Sequence, residues 1–150
     1  MKREFPFPAY PNGWFAVSYS DEIKSGEVKA LEYFGKPLVV YRTGAGEARV
    51  IDAHCPHLGA HLGFGGAVVG ETVRCPFHHW RFGADGKCVD IPYAQRIPPQ
   101  AKIGVWPTCE STDSSLSGIT ASRSRPPARF HRSRSTGLRV GATMSVFAGR

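Results

Sequence analysis

Two short boxes in the chain pair cysteine with histidine: Cys55-Pro56-His57 and Cys75-Pro76-Phe77-His78. Seventeen residues separate them, and His79-Trp80 follows the second. Thiolate sulfur and imidazole nitrogen are ligands for iron and zinc. Each box is short enough to set its Cys and His at the tip of one loop, aimed at a common centre. Pro56 and Pro76 stiffen those loops by fixing φ, and Gly59, Gly63, Gly65 and Gly66 permit close backbone approach. Two such loops face to face suit a two-iron, two-sulfide cluster, with Cys55 and Cys75 on one iron and His57 and His78 on the other. That centre is formally neutral when oxidised and singly negative when reduced. An all-thiolate cluster ends with three negative charges, so imidazole ligation raises the potential. It also couples reduction to protons where the imidazoles titrate. A Cys₂His₂ zinc site uses the same residue types and stays open, although zinc modules more commonly space their ligands as Cys-x₂₋₄-Cys and His-x₃₋₅-His. A catalytic thiol at Cys55 or Cys75 is the weaker reading, and no catalytic residue is assigned.

The neighbouring chemistry-bearing residues have plainer readings. His54, His61 and His79 are surface groups or supports of the ligands, because such a cluster needs only two imidazoles. Cys88 reads as a small buried apolar side chain and Cys109 as incidental. Trp80 is expected to pack beneath the cluster loop and shield it from water. Asp52 reads as a strand-end carboxylate.

The elements that must position the boxes are short strands. Residues 13–19, 28–34, 37–42 and 48–52 are rich in aromatic and β-branched residues or alternate in polarity, and the last leads directly into the first box. A hairpin at 68–69 and 72–74 delivers Cys75, residues 80–82 and 87–89 flank a Gly-containing turn, and a last strand covers 102–106. No helical period persists for 10–12 residues anywhere in 1–110, so the expectation is an all-β sandwich of short antiparallel strands with a cluster-binding subdomain of two loops. The net charge of +7 belongs to the C-terminal part. Residues 1–110 carry 12 Lys/Arg and 11 Asp/Glu, whereas 111–150 carry seven Arg against the single Asp113. The body therefore has no basic character that would mark it for nucleic acid. The Arg-rich run 121–134 is the one place where an RNA or acidic surface would bind, and it reads more simply as a solvated tail. The start has no secretory h-region and no run reaches the roughly 18–20 apolar residues of a membrane span, so a cytoplasmic protein without membrane partners is expected.

Beyond these patterns, residues 5–107 resemble the N-terminal Rieske domain of the ring-hydroxylating oxygenases, most of all the branch of 3-ketosteroid 9α-hydroxylases and cholesterol 7-desaturase-like enzymes. The residues carrying the resemblance include Phe5 to Pro8, Gly13-Trp14, Tyr33-Phe34-Gly35, both boxes with Leu58 to Gly63, Trp80-Arg81-Phe82, Gly86-Lys87-Cys88 and Ile91-Pro92-Tyr93. High-potential Rieske proteins of respiratory chains carry a disulfide whose cysteines would fall at Ala60 and Phe77, so the resemblance is to the low-potential type. Many relatives have Gly at the position of His79.

The resemblance implies a Rieske 2Fe–2S cluster on Cys55, His57, Cys75 and His78. It implies an NAD(P)H-dependent reductase or ferredoxin as electron donor, and a mononuclear non-haem iron domain as acceptor that performs hydroxylation or desaturation. That iron needs two histidines and a carboxylate, and His131 is the only histidine after residue 107. The expectation is an oxidoreductase component with its electron-transfer site but without its catalytic domain. A stand-alone Rieske ferredoxin is the alternative, and a zinc-stabilised interaction module a third reading. Residues 108–150 are expected to form a disordered basic tail, dominated by Ser, Thr, Arg and Pro. A shifted reading frame is one explanation for it: synonymous codons for Thr112 to Thr120, read one frame over, encode a Gly-Leu-Ile-containing strand like that of the family.

Overall fold

The computed structural model describes residues 13–111 and 118–122. The strands are β1 (Trp14–Tyr19), β2 (Val28–Tyr33), β3 (Lys36–Arg42), β4 (Ala48–Asp52), β5 (Ala67–Val69), β6 (Thr72–Arg74), β7 (Arg81–Phe82), β8 (Cys88–Asp90), β9 (Val105–Trp106), β10 (Thr108–Ser111) and β11 (Gly118–Ser122). They form three antiparallel sheets, ordered β1-β11-β10, β2-β3-β4-β9 and β5-β6-β7-β8. The protein is all-β, and among the described residues no helix is long and apolar enough to cross a membrane.

The centre of β3 is buried on both faces, which explains why Leu38-Val39-Val40-Tyr41 is a continuous apolar run rather than an alternating one. Successive strand residues point to opposite faces. Val39, Tyr41 and Ile51 therefore join the core that contains Cys55, Leu62, Cys75 and Phe82. Leu38, Val40 and Val50 join a second core with Val17, Ile23, Trp106, Ile119 and Ala121. The β2–β3 hairpin turns at Phe34-Gly35, both with positive φ (59° and 66°), as a two-residue primed turn requires. Phe34 is a bulky residue for that conformation. Its ring stacks on Trp106 (centroids 5.2 Å, planes 7° apart) and meets Phe15 edge-on at 5.0 Å.

Two strands lie beyond the boundary that composition placed at residue 107. β11 pairs with both β1 and β10, and its Ile119 and Ala121 are fully buried. Two apolar side chains at i and i+2 suffice for a strand face, and a Ser/Thr/Arg-rich background hid them. Residues 112–117 and 123–150, with the remaining tail expectations, lie outside the described residues.

Glu110 on β10 ties this sheet to β3. Its carboxylate accepts from Arg42 Nη1 and Nη2 at 3.0 and 2.7 Å, while the same guanidinium donates to the carbonyls of Ile23, Gly46 and Ser20. Arg42 holds the Glu110 carboxyl below its ordinary value of 4.5. A depressed carboxyl pKa contributes stability that is present above the unfolded value and lost as pH falls through the folded one. Glu110→Gln is expected to destabilise the protein by about 1–3 kcal/mol at neutral pH. The urea midpoints of the two proteins should converge under acid, and a gap that persists there would contradict this role.

Candidate metal centre

The first box lies on the loop between β4 and β5, the second between β6 and β7. The two loops share one construction. In the first, the Cys55 N–H donates to the Ala60 carbonyl (2.9 Å) across a turn in which Gly59 has φ +74°. In the second, the Cys75 N–H donates to the Trp80 carbonyl (2.8 Å) across a turn in which His79 has φ +61°. Each closes from the cysteine to the fifth residue after it, with a left-handed residue at the fourth. The histidine is second after the cysteine in one loop and third in the other, so the loops are similar without being superimposable in sequence.

This arrangement brings all four expected ligands together in two like pairs. Cys55 and Cys75 are buried, 2% and 1% exposed, in one core cluster, where Cys75 helps to raise the Cys55 thiol pKa. The rings of His57 and His78 meet edge to face with centroids 4.7 Å apart. His57 Nδ1 is buried without a hydrogen-bond partner. Leaving such a nitrogen unmatched costs about 1–3 kcal/mol, and a metal ion bound there would remove that cost. Burial pushes the Cys55 thiol up to about 11, opposed by the His57 N–H and reinforced by Cys75. A thiolate in this position needs a cation beside it, and metal loading must displace the proton. One zinc ion would gather all four side chains about a single point at roughly 2.0–2.3 Å. Among the described residues, no group of three or more His, Cys, Asp or Glu side chains is placed to hold a single ion. Two thiols together and two imidazoles together is the division that two bridged irons require, so these residues fit that cluster.

Comparison with known proteins agrees with this geometry. The family model of the Rieske [2Fe-2S] domain matches residues 13–106. The chain belongs to the Rieske domain family. A cholesterol 7-desaturase of Xenopus laevis is 51% identical over 111 residues, covering 73% of this chain and 24% of that protein. The oxygenase component of a 3-ketosteroid-9-alpha-monooxygenase from Rhodococcus rhodochrous is 46% identical over 101 residues, covering 67% and 26%. Among solved structures, dicamba monooxygenase bound to dicamba superimposes with a TM-score of 0.69 at 25% identity, covering 77% of this chain and 33% of that one. The oxygenase in complex with ferredoxin in carbazole 1,9a-dioxygenase gives 0.66 at 27%, covering 79% and 31%. The chain thus spans about a quarter of the length of these curated relatives, and the cofactor of its family is a Rieske 2Fe–2S cluster.

Around the candidate ligands of this Rieske domain, Trp80 lies stacked on His57, centroids 4.5 Å apart and planes 10° from parallel. It is largely buried, so it covers one face of the imidazole from water. Its indole N–H donates to the Tyr93 hydroxyl at 2.7 Å. Composition and spacing gave no role to Tyr93; its only signal was its place in Ile91-Pro92-Tyr93. His54 and His61 form a lone β-bridge at the base of the first loop, with rings 5.1 Å apart. His61 Nδ1 accepts from the Gly63 N–H at 3.0 Å, and burial, then His54, hold its pKa below the ordinary value. Cys88 is buried, with Sγ 3.3 Å from the Asp90 carbonyl, and Cys109 is half-buried on β10. Asp52 accepts from the Trp106 indole N–H at 2.8 Å, which anchors β9 against the strand that enters the first loop.

Proposed function

We propose that this chain carries single electrons through a cluster held by Cys55 and Cys75 on one iron and by His57 and His78 on the other. The reading rests chiefly on the pairing of thiol with thiol and imidazole with imidazole around the unpartnered His57 Nδ1. When bound, the cluster supplies a reversible one-electron couple at a potential above that of all-thiolate clusters. The chain's own residues hold and insulate it. Cys55 and Cys75 give up their protons on loading, Trp80 covers His57, and the half-buried His78 is the ligand nearest solvent on the second loop.

The desaturase and monooxygenase relatives support a place as the electron-transfer domain of a Rieske-type oxygenase directed at a steroid. In that setting an NAD(P)H-dependent reductase or a ferredoxin is the donor, a non-haem iron domain the acceptor, and the cytoplasm the compartment.

Anaerobic loading with iron and sulfide should give two of each per chain. Pulsed EPR of the reduced protein should resolve two inequivalent nitrogen couplings, both lost from a His57→Cys, His78→Cys double variant. A cluster signal without nitrogen coupling, or a zinc-loaded and EPR-silent chain, would refute the ligand set.

A further inference from the structure

The second loop differs from its twin in the residue that makes the left-handed turn. Both turns need a left-handed residue four after the cysteine. The first uses Gly59, which adopts it freely, and the second uses His79 at φ +61°. Strain of that kind persists where surrounding structure imposes it, and it gathers at ligand clamps. The His79 side chain lines an open groove of about 190 Å³ with Val69, Arg74, Arg81, Asp90 and Pro92. Arg81 Nε is engaged by Asp90 at 3.0 Å, whereas the guanidinium of the exposed Arg74 makes no ion pair among the described residues. Two guanidiniums against one carboxylate leave the groove one positive charge in excess.

The groove adjoins the ligands on two sides. His79 follows His78 directly, about 3.8 Å away from Cα to Cα. Pro92 precedes Tyr93, whose ring meets that of His78 at 6.4 Å. The two loop tips, joined by the contact of the His57 and His78 rings, expose Leu58 (64%) and Phe77 (61%) to solvent. A free anion would satisfy Arg74 but leave those apolar side chains uncovered, whereas a protein surface covers both.

We propose that the groove formed by Arg74, His79 and Arg81 receives a surface carboxylate of the electron-transfer protein that exchanges electrons with this domain. The proposal rests on the electron-transfer reading above. A planar guanidinium takes a carboxylate through two parallel hydrogen bonds, which fixes orientation as well as position. Docking at this point sets the partner against the His78 edge. Rim charges of this type act mainly on the rate of encounter.

The test uses the full 150-residue chain, loaded with iron and sulfide, and a reduced, acidic plant-type ferredoxin as donor in stopped-flow mixing. Photoreduced deazariboflavin serves as a small uncharged donor. Arg74→Glu is expected to slow reduction by ferredoxin about tenfold or more at low ionic strength, with the difference closing at high salt. His79→Gly, which the left-handed turn accepts, is expected to slow it roughly two- to fivefold. Deazariboflavin should reduce all variants at one rate, and Lys24→Glu, on the turn before β2, should match the parent with both donors. A loaded chain reduced by ferredoxin at the same rate with and without Arg74 overturns the groove alone. Inhibition by inorganic phosphate at constant ionic strength, without an Arg74 effect on ferredoxin, makes it a small-anion site and overturns the proposal. A chain that takes up no iron and sulfide fails the electron-transfer reading and the groove with it.

Discussion

Replacing Cys75 with alanine is expected to leave a chain that retains its strands but binds no cluster, whereas replacing His57 with cysteine should retain the cluster and lower its potential by on the order of 100 mV. The two outcomes differ for a physical reason. Cys75 is one of only two anionic ligands on the proposed ligand set, and its loss leaves an iron with a single protein ligand and an uncompensated positive charge in a buried site. Alanine removes little packing, so far-UV circular dichroism should change little while bound iron falls to background. Cysteine at 57 instead adds an anionic ligand, which disfavours the further negative charge brought by an electron. Rieske and all-cysteinate clusters differ by at least about 250 mV for two such exchanges, and one exchange should give a substantial part of that. A redox titration followed by EPR measures it. An unchanged potential in His57→Cys, or full iron content in Cys75→Ala, would remove these residues from the ligand set.

Most of the architecture was legible because it obeys short-range rules. Strands β1 to β8 follow alternation or dense β-branched content, and both ligand boxes announce themselves by residue type and spacing. What escaped depends on contacts distant in sequence. The turn of the first hairpin falls at Phe34-Gly35 rather than one residue later, because Phe34 is held by stacking on Trp106, and no local pattern encodes that. β9 begins at Val105 rather than Lys102: the Ile103 N–H donates to the Gly86 carbonyl and the Asp52 N–H to that of Gly104, while the Lys102 N–H turns back to the Gln100 carbonyl and the residue forms an isolated bridge with Lys87. β11 was invisible to composition, because Ile119 and Ala121, which reach the core, stand in a Ser/Thr/Arg-rich background. At the metal centre the four ligand candidates were readable, but the matched design of the loops was not. A left-handed residue four after each cysteine is glycine in one loop and histidine in the other, and only backbone angles reveal the equivalence.

That matched design has a weak point at Gly66, where substitution by alanine is expected to lower the thermal midpoint of the loaded protein by on the order of 10 °C or more. A Cβ there would lie 2.0 Å from the Leu62 carbonyl oxygen, 3.0 Å from its carbon and 3.4 Å from the Arg74 oxygen. All three are backbone atoms, and none can swing aside as a side-chain tip can. Leu62 is fully buried, and its N–H donates to the carbonyl of Ala53, the residue after the strand that feeds the first loop; Arg74 leads directly into Cys75. A methyl group wedged between them pushes apart the two segments that carry the candidate ligands, at a cost of roughly 3 kcal/mol or more. Gly70→Ala supplies the contrast. No atom lies within 4 Å of its Cβ position, but its φ is +59°, so only backbone strain of about 1 kcal/mol opposes the change. Gly70→Ala should therefore keep its midpoint close to that of the parent, while loaded Gly66→Ala melts well below it. If the two variants melt together, close contact at Gly66 is not what holds the loops in register.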